Sequence, residues 1–192
     1  MRLLCVNGSP RQGGNSEALL REAMKGAQAE GARTVSVTLN SVQIRPCQGC
    51  EECKVAGTCR QKDGMRSLYS KIDRANGIIL AAPVYMTHLS AQTKLFIDRL
   101  YSYITSDFKS RLAAGKRVVL ITTQGEENAK TYAGAMRTLS TVFGWLGFKV
   151  TGKLVATALG PRGDAQKRKA LLKRAFDLGR RLARPAAKGP AK

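Results

Sequence analysis

Short runs of apolar residues alternate along the chain with segments in which apolar residues recur every three or four positions. The apolar runs, which are typical of buried strands, cover residues 2–7, 34–39, 77–82, 118–122 and 150–157. The segments of helical period cover residues 16–30, 63–72, 90–100, 132–146 and 164–183. Asp63 and Ser90 are the residue types that favour helix N-caps. The pattern therefore predicts five strands that alternate with five helices.

This alternation predicts an α/β fold built on a doubly wound five-stranded parallel sheet of order 2-1-3-4-5, with helices on both faces. We expect a single domain over residues 1–183, with a cysteine-rich loop at 41–62, followed by a disordered basic tail at 184–192. In such sheets, ligands bind outside the carboxyl ends of the strands. The loops after strands one, three and four are therefore the first places to search for a site.

The charge of the chain indicates which class of partner it could bind. The formal net charge is +20, and residues 162–192 contain eleven basic and two acidic residues. Such an excess favours anionic partners: nucleotide cofactors, acidic redox proteins or nucleic acid. The alternative is a solvated helix face without a partner. No apolar run reaches the ~18 residues of a membrane span, and the first residues are too short for a signal segment. We expect a cytoplasmic protein without a membrane partner.

The loop at residues 8–16 has the composition of a phosphate site. Its three glycines allow close backbone approach. Ser9, Asn15 and Ser16 supply hydrogen-bonding side chains, and Arg11 supplies positive charge. The following helix directs its amino end to the same place, which favours an anion. Neither a P-loop nor a Gly-x-Gly-x-x-Gly fingerprint is present in the sequence. The alternative is a glycine-rich turn that only links strand to helix.

The loop after strand three carries side chains that are unusual in a plain surface turn. Tyr85 and Met86 follow Pro83 and Val84. An aromatic ring and a polarisable thioether suit the face of a flat conjugated ring system. The alternative is that both side chains cover the edge of the core.

Four of the five cysteines form one block, Cys47-x2-Cys50-x2-Cys53-x5-Cys59. Four thiolates are a full ligand set for an iron–sulfur cluster, and three cysteines in one compact run favour a four-iron cluster. Empty or redox-active thiols and a zinc site remain alternatives, although structural zinc usually pairs two separated cysteine knuckles. Cys5 lies in an apolar run and is expected to be a small buried hydrophobe.

Several of these segments together resemble the NADPH-dependent FMN reductase superfamily of flavodoxin-like proteins. The resemblance rests on Gly-Ser-Pro-Arg with Asn-Ser at 8–16, on Pro-Val-Tyr at 83–85, and on residues 90–99. The cysteine block resembles the iron–sulfur flavoprotein branch of that superfamily, and residues 122–125 and 160–164 also fit that branch. The similarity extends over nearly the whole chain, to about residue 182.

The resemblance implies FMN as the cofactor and assigns residues to it. Those matching the phosphate-holding positions are Ser9, Arg11, Asn15 and Ser16; those matching the loop beside the flavin ring are Pro83, Val84, Tyr85 and Met86; those matching the ring's other edge are Thr123, Gln124 and Gly125. Charged residues of the helix at 90–99 match positions with a structural or subunit-contact role. FMN is favoured over FAD because the loop offers one anion site and no pyrophosphate fingerprint.

The predicted function is that of an FMN-dependent electron-transfer flavoprotein, an oxidoreductase, with a four-cysteine iron–sulfur (4Fe-4S) cluster. Its expected partners are NAD(P)H or an acidic carrier such as a ferredoxin, and further copies of itself in a homo-oligomer. The first alternative is a cluster-free NAD(P)H-dependent FMN or quinone reductase. The second is a nucleic-acid-binding or regulatory module on the same scaffold, which ranks last because the sequence lacks any recognised nucleic-acid-binding motif.

Overall fold

The computed structural model describes residues 1–185, and its centre is a parallel sheet. The strands are β1 (Arg2–Asn7), β2 (Arg33–Thr38), β3 (Gly77–Tyr85), β4 (His88–Leu89), β5 (Arg117–Thr123) and β6 (Lys149–Ala156). The helices are α1 (Asn15–Ala29), α2 (Glu52–Ala56), α3 (Met65–Arg74), α4 (Ala91–Arg99), α5 (Ala133–Trp145) and α6 (Lys169–Ala183), with 3-10 turns η1 (Leu39–Ser41) and η2 (Leu100–Tyr103).

The five long strands lie in the order β2-β1-β3-β5-β6, and every neighbouring pair among them is parallel. This confirms the predicted doubly wound sheet and its order. The sheet also contains a sixth, two-residue strand that the prediction omitted, because β4 pairs antiparallel with the end of β3. The two residues between β3 and β4, Met86 and Thr87, both have positive φ, as a two-residue hairpin turn of type I′ requires.

Two apolar layers enclose the sheet, and the alternation of side chains along β1 divides residues between them. Leu3 and Cys5 face the layer that contains α1 and α6. Leu4 and Val6 face the layer that contains α3, α4 and α5. Because both faces are covered, the central strands are apolar along their whole length, which is why continuous apolar runs predicted them.

Other departures from the prediction lie at element ends. The cysteine-rich loop contains the short helix α2, which begins and ends beside two residues of positive φ, Glu51 and Gly57. Helix α6 begins at Lys169 rather than at residue 164, because residues 161–167 form turns in which the Asp164 carboxylate accepts the Gly160 N–H at 3.1 Å.

Most of the predicted tail, residues 186–192, lies outside the described residues. In the described part, no helix is long and apolar enough to cross a bilayer.

Candidate functional site

The loop after β1 is shaped by its own side chains. The Asn7 side-chain oxygen accepts the Ser9 N–H at 3.0 Å, and the Ser9 hydroxyl accepts the Arg11 N–H at 3.2 Å. Gly8 donates its N–H to the Ala81 carbonyl at 2.8 Å. A Cβ at Gly8 would lie 2.0 Å from the Thr93 hydroxyl oxygen, so only glycine fits there. These bonds turn the chain toward the amino end of α1.

The amino end of α1 carries no side-chain cap. Its N-cap residue is Gly14, which has no side chain that could accept a hydrogen bond from the first turn. Exposed N–H groups and the helix dipole at such an end favour an anion. The Ser9 hydroxyl accepts one bond and keeps its own hydrogen for donation. Arg11 is exposed, and its Nη1 donates to the Gly160 carbonyl at 3.2 Å. Ser9 and Arg11 therefore stand beside an uncapped helix end that suits a phosphate.

Asn15 and Ser16, both buried, tie this loop to two others. The Asn15 amide donates to the Pro161 carbonyl at 2.9 Å, and its oxygen accepts the Ala165 N–H at 3.1 Å. The Ser16 hydroxyl lies 2.7 Å from that of Thr123. The segment after β6, at 160–165, is thus part of the site's frame. Sequence reasoning matched its Gly-Pro-Arg-Gly-Asp run to relatives but gave it no role.

Glu17 is a further residue that sequence reasoning missed. Its carboxylate accepts the N–H of Gly13 at 2.7 Å and pairs with Arg21 at 2.5 Å. An acidic side chain in the first helical turn is stabilised by the helix dipole. The sequence feature that could have identified Glu17 is its position four residues after Gly13. The carboxylate holds the glycine-rich turn against α1.

The loop after β3 lies next to the end of β5. Pro83 is in register with Thr123, and Tyr85 pairs with His88 across the hairpin. Pro83 is buried and Val84 is half-buried, whereas the Met86 side chain is 95% exposed. Tyr85 and Met86 therefore project from the carboxyl edge of the sheet. They are available to a ligand and do not cover the core.

The loop after β5 completes the edge. Gln124 is buried, donates its N–H to the Ala156 carbonyl at 2.9 Å, and its side-chain amide donates to Asn128 at 3.0 Å. Within residues 1–185 its side-chain oxygen is buried without a hydrogen-bond partner. A Cβ at Gly125 would meet nothing within 4 Å. A buried acceptor without a protein partner is uncommon in a native structure, and an N–H donor from a ligand would satisfy it.

The four cysteines of the block line one small cavity against η2 and the end of α4. Cys53 is buried, Cys59 is half-buried, and Cys47 and Cys50 are exposed. Burial raises the pKa of the Cys53 thiol, and this outweighs the lowering effect of Lys54. Lys54 anchors the segment, because its ammonium lies 3.3 Å from the centre of the Tyr101 ring and donates to the Ile104 carbonyl at 2.6 Å.

The cysteines share a cavity, but their side chains do not form a metal-coordinating group. Among residues 1–185, no three histidine, cysteine or acidic side chains are grouped closely enough to hold a metal ion. The donor set has the chemistry of an iron–sulfur ligand set. The ligand assignment of Cys47, Cys50, Cys53 and Cys59 stays a prediction.

Arg99 and Asp63 stand behind the cysteine cavity as a buried ion pair. Arg99 Nη1 lies 2.5 Å from Asp63 Oδ2, and Arg99 Nη2 lies 3.4 Å from Cys59 Sγ. Burial opposes ionisation of Asp63, but bonds from Arg99 and from the N–H groups of Arg45 and Met65 outweigh it and lower the pKa of Asp63. Burial also disfavours the charge on Arg99, yet the Asp63 hydrogen bond holds the pKa of Arg99 above its usual value.

Helix α4 links the two regions. Its N-cap Ser90 donates to the Gly8 carbonyl at 2.7 Å, whereas its last residue, Arg99, contacts Cys59. Nine helical residues separate these ends by roughly 14 Å. The glycine-rich loop and the cysteine cavity therefore lie at opposite ends of one rigid element.

Several known proteins share sequence or fold with this chain. The family model described as NADPH-dependent FMN reductase matches residues 1–160. An iron–sulfur flavoprotein of Methanosarcina thermophila is 30% identical over 146 residues, which are 76% of this chain and 73% of that protein. An iron–sulfur flavoprotein of Methanocaldococcus jannaschii is 39% identical over 99 residues, which are 52% of this chain.

The chain spans about half the length of the Methanocaldococcus relative, 51%, and of two similar Archaeoglobus fulgidus proteins, 47% and 52%. Among solved structures, the NAD(P)H:quinone oxidoreductase from Methanothermobacter marburgensis superposes with a TM-score of 0.76 at 17% identity, over 97% of this chain and 98% of that one. This likeness shows a shared fold.

Proposed function

Since the chain belongs to the NADPH-dependent FMN reductase family, we propose that it is a flavin-dependent oxidoreductase that binds FMN at the carboxyl edge of its sheet and transfers electrons through an iron–sulfur cluster. FMN supplies two-electron and one-electron chemistry when bound, and a cluster supplies one-electron transfer. The residues of the chain provide position and charge.

The observation that carries the flavin assignment is the junction of the loops after β1, β3, β5 and β6 at one edge. Ser9, Arg11 and the uncapped end of α1 offer donors and positive charge to a phosphate. Tyr85 and Met86 offer an aromatic ring and a thioether beside it. The Gln124 oxygen offers a buried acceptor. Positive charge near the flavin would favour the anionic form of the reduced ring.

Two observations support the cluster. All four cysteines of the block line the same cavity, and the Methanosarcina and Methanocaldococcus relatives are named iron–sulfur flavoproteins. In the cluster assignment Cys47, Cys50, Cys53 and Cys59 are the ligands, and Arg99 places an N–H against one of their sulfurs.

The second candidate is a cluster-free NAD(P)H-dependent FMN or quinone reductase. It is favoured by the description of the matching family model, which names NADPH and FMN alone. It is also consistent with the exposure of Cys47 and Cys50, because exposed thiols can remain empty or form redox pairs.

An anaerobic preparation separates these candidates. Iron, acid-labile sulfide and the visible spectrum are measured for the wild type and for Ala variants at positions 47, 50, 53 and 59. We expect each variant to lower the iron content, while Cys5→Ala, whose thiol is buried in β1, keeps it. FMN should remain bound in all five variants, since its contacts come from other loops. Iron-free wild-type protein with intact flavin reduction in all variants would establish the cluster-free reductase.

The identity of the flavin is tested by mass analysis of the cofactor released on denaturation. One uncapped helix end offers one anion site, so we expect FMN. Stoichiometric FAD would contradict the assignment of the glycine-rich loop to a single phosphate.

Partners follow from charge and from the open edge of the site. The net charge of +20 suits an acidic electron carrier such as a ferredoxin, so electron transfer from such a carrier should slow as salt is raised. We expect a homo-oligomer, a dimer at least, because the exposed Tyr85 and Met86 leave one side of the flavin site without cover. Light scattering on FMN-loaded protein checks this, and a strict monomer would contradict it.

A further inference from the structure

Both side chains of the ion pair between Arg99 and Asp63 are buried. The Arg99 side chain is 1% exposed and that of Asp63 is 5% exposed, whereas every other ion pair within residues 1–185 has at least one partner in contact with solvent. Removing two charges from water is costly, and a buried pair often contributes little net stability. Stability alone therefore does not explain the pair.

Arg99 divides its donors between the carboxylate and the cysteine block. Its Nη1 donates to Asp63 and to the Arg45 carbonyl, at 2.5 and 2.8 Å. Its Nη2 lies 3.3 Å from Asp63 and 3.4 Å from Cys59 Sγ. The planar guanidinium fixes these directions together. Asp63 thus holds the guanidinium in the orientation that presents an N–H to sulfur.

Asp63 is itself fixed by the backbone. Its two oxygens accept the N–H groups of Arg45 at 2.9 Å and Met65 at 3.0 Å. These residues flank the cysteine block on its two sides. The order of contacts is therefore backbone to Asp63, Asp63 to Arg99, and Arg99 to Cys59.

We propose that Arg99 is a positioning residue for the cysteine centre: it fixes Cys59 Sγ and supplies a positive charge to the thiolate, and Asp63 orients it. This inference rests on the iron–sulfur assignment above. Hydrogen bonds and charges around ligating sulfurs set the reduction potential of a cluster. The reduced cluster carries one more negative charge than the oxidised one, so the N–H and charge of Arg99 raise its potential, and the carboxylate of Asp63 opposes this.

The two members of the pair therefore have opposite predicted effects. In anaerobically prepared, cluster-loaded protein, the midpoint potential is measured by redox titration followed by the electron paramagnetic resonance signal of the reduced cluster. Arg99→Gln should shift the potential downward, Asp63→Asn should shift it upward, and Arg99→Lys should lie between the wild type and Arg99→Gln. If the pair served folding alone, the midpoint potentials of Arg99→Gln and Asp63→Asn would shift in the same direction or would not shift.

Arg180 provides the matched control, because it also bonds a carboxylate, that of Glu30 at 3.0 Å, but lies on the opposite face of the sheet. Arg180→Gln should keep the wild-type potential. If either single variant at the buried pair does not fold, the double variant Asp63→Asn with Arg99→Gln removes both charges. It should shift the potential downward, because the lost cation is the group in contact with sulfur.

The outcomes separate this inference from the proposed function. A wild type that contains iron and sulfide but keeps its potential in all variants at positions 63 and 99 overturns the role of Arg99 and leaves the cluster intact. Shifts of the same direction in Arg99→Gln and Asp63→Asn also overturn it. A wild type without iron and sulfide overturns the cluster, and the role of Arg99 with it.

Discussion

The hydroxyl oxygens of Ser16 and Thr123 lie 2.7 Å apart, and this contact joins the first turn of α1 to the end of β5. Both side chains are buried. The contact fixes the glycine-rich loop relative to the loop after β5, since one of the hydroxyls must donate to the other and is oriented by doing so. The two halves of the proposed flavin site are therefore held together as one unit.

Breaking this contact should weaken FMN binding. Thr123→Val and Ser16→Ala each remove one hydroxyl, and the net value of one such hydrogen bond is about 0.5–1.5 kcal/mol, which corresponds to roughly a 2- to 12-fold increase in the FMN dissociation constant. Titration of the protein with FMN, followed by flavin fluorescence, measures the dissociation constant. Ser140→Ala, which removes a hydroxyl bonded within α5, is the control. Unchanged FMN affinity with a lowered melting temperature would assign the contact to folding alone.

The phosphate assignment makes a stronger prediction. Ser9→Ala and Arg11→Ala should each remove a hydrogen bond to a charged group, worth about 1.5–3 kcal/mol, and weaken FMN retention by roughly 12- to 160-fold. Arg66→Ala, an exposed arginine on α3, should leave retention unchanged. If both variants keep wild-type affinity, the phosphate lies elsewhere.

The fold was predictable because its central strands are buried on both faces and are apolar throughout, as in residues 77–82. The missed elements depend on local backbone conformation. The hairpin of β3 and β4 needs positive φ at Met86 and Thr87. Neither residue type favours positive φ, so the sequence does not predict this turn. Helix α2 is too short to show a period.

The site was predictable only as far as topology brings its residues to one edge. Sequence reasoning placed Ser16 and Thr123 at the same end of the sheet, but 107 positions separate them and no pattern pairs them. Asp63 was predicted as a helix cap; it does bond the N–H of Met65, yet it also pairs with Arg99, 36 positions away. Such contacts depend on packing between elements, which periodicity does not encode.

A close crossing of α1 and α6 yields a stability prediction. A Cβ at Gly26 would lie 1.9 Å from the Phe176 carbonyl oxygen. Gly26→Ala should therefore force the helices apart and destabilise the protein by about 1–3 kcal/mol. Gly144→Ala, at an exposed position of α5 with open space around it, should be neutral or stabilise by up to about 1 kcal/mol. Urea unfolding compares them, and equal effects would contradict the close crossing.

The final prediction concerns the thiol of Cys5 at alkaline pH. Burial raises the pKa of Cys5 from its ordinary value of 9.0 to about 12. The unfolded chain therefore releases this proton at a lower pH than the folded chain. The stability due to the neutral buried thiol is complete below pH 9.0 and is lost progressively as pH rises toward 12, with a limiting slope of about 1.4 kcal/mol per pH unit.

Cys5→Ala should remove this part of the pH dependence. Urea unfolding at several pH values between about 8 and 10.5 gives the slope of the unfolding free energy, and the variant should show a shallower fall than the wild type. The fall should not vanish, because burial and then the neighbouring Asp73 also raise the pKa of Tyr103. Val6→Ala, a core truncation in the same strand without a titratable group, should lower stability equally at each pH and keep the wild-type slope. A Cys5→Ala slope equal to that of the wild type would mean that the thiol is not held neutral by the sheet.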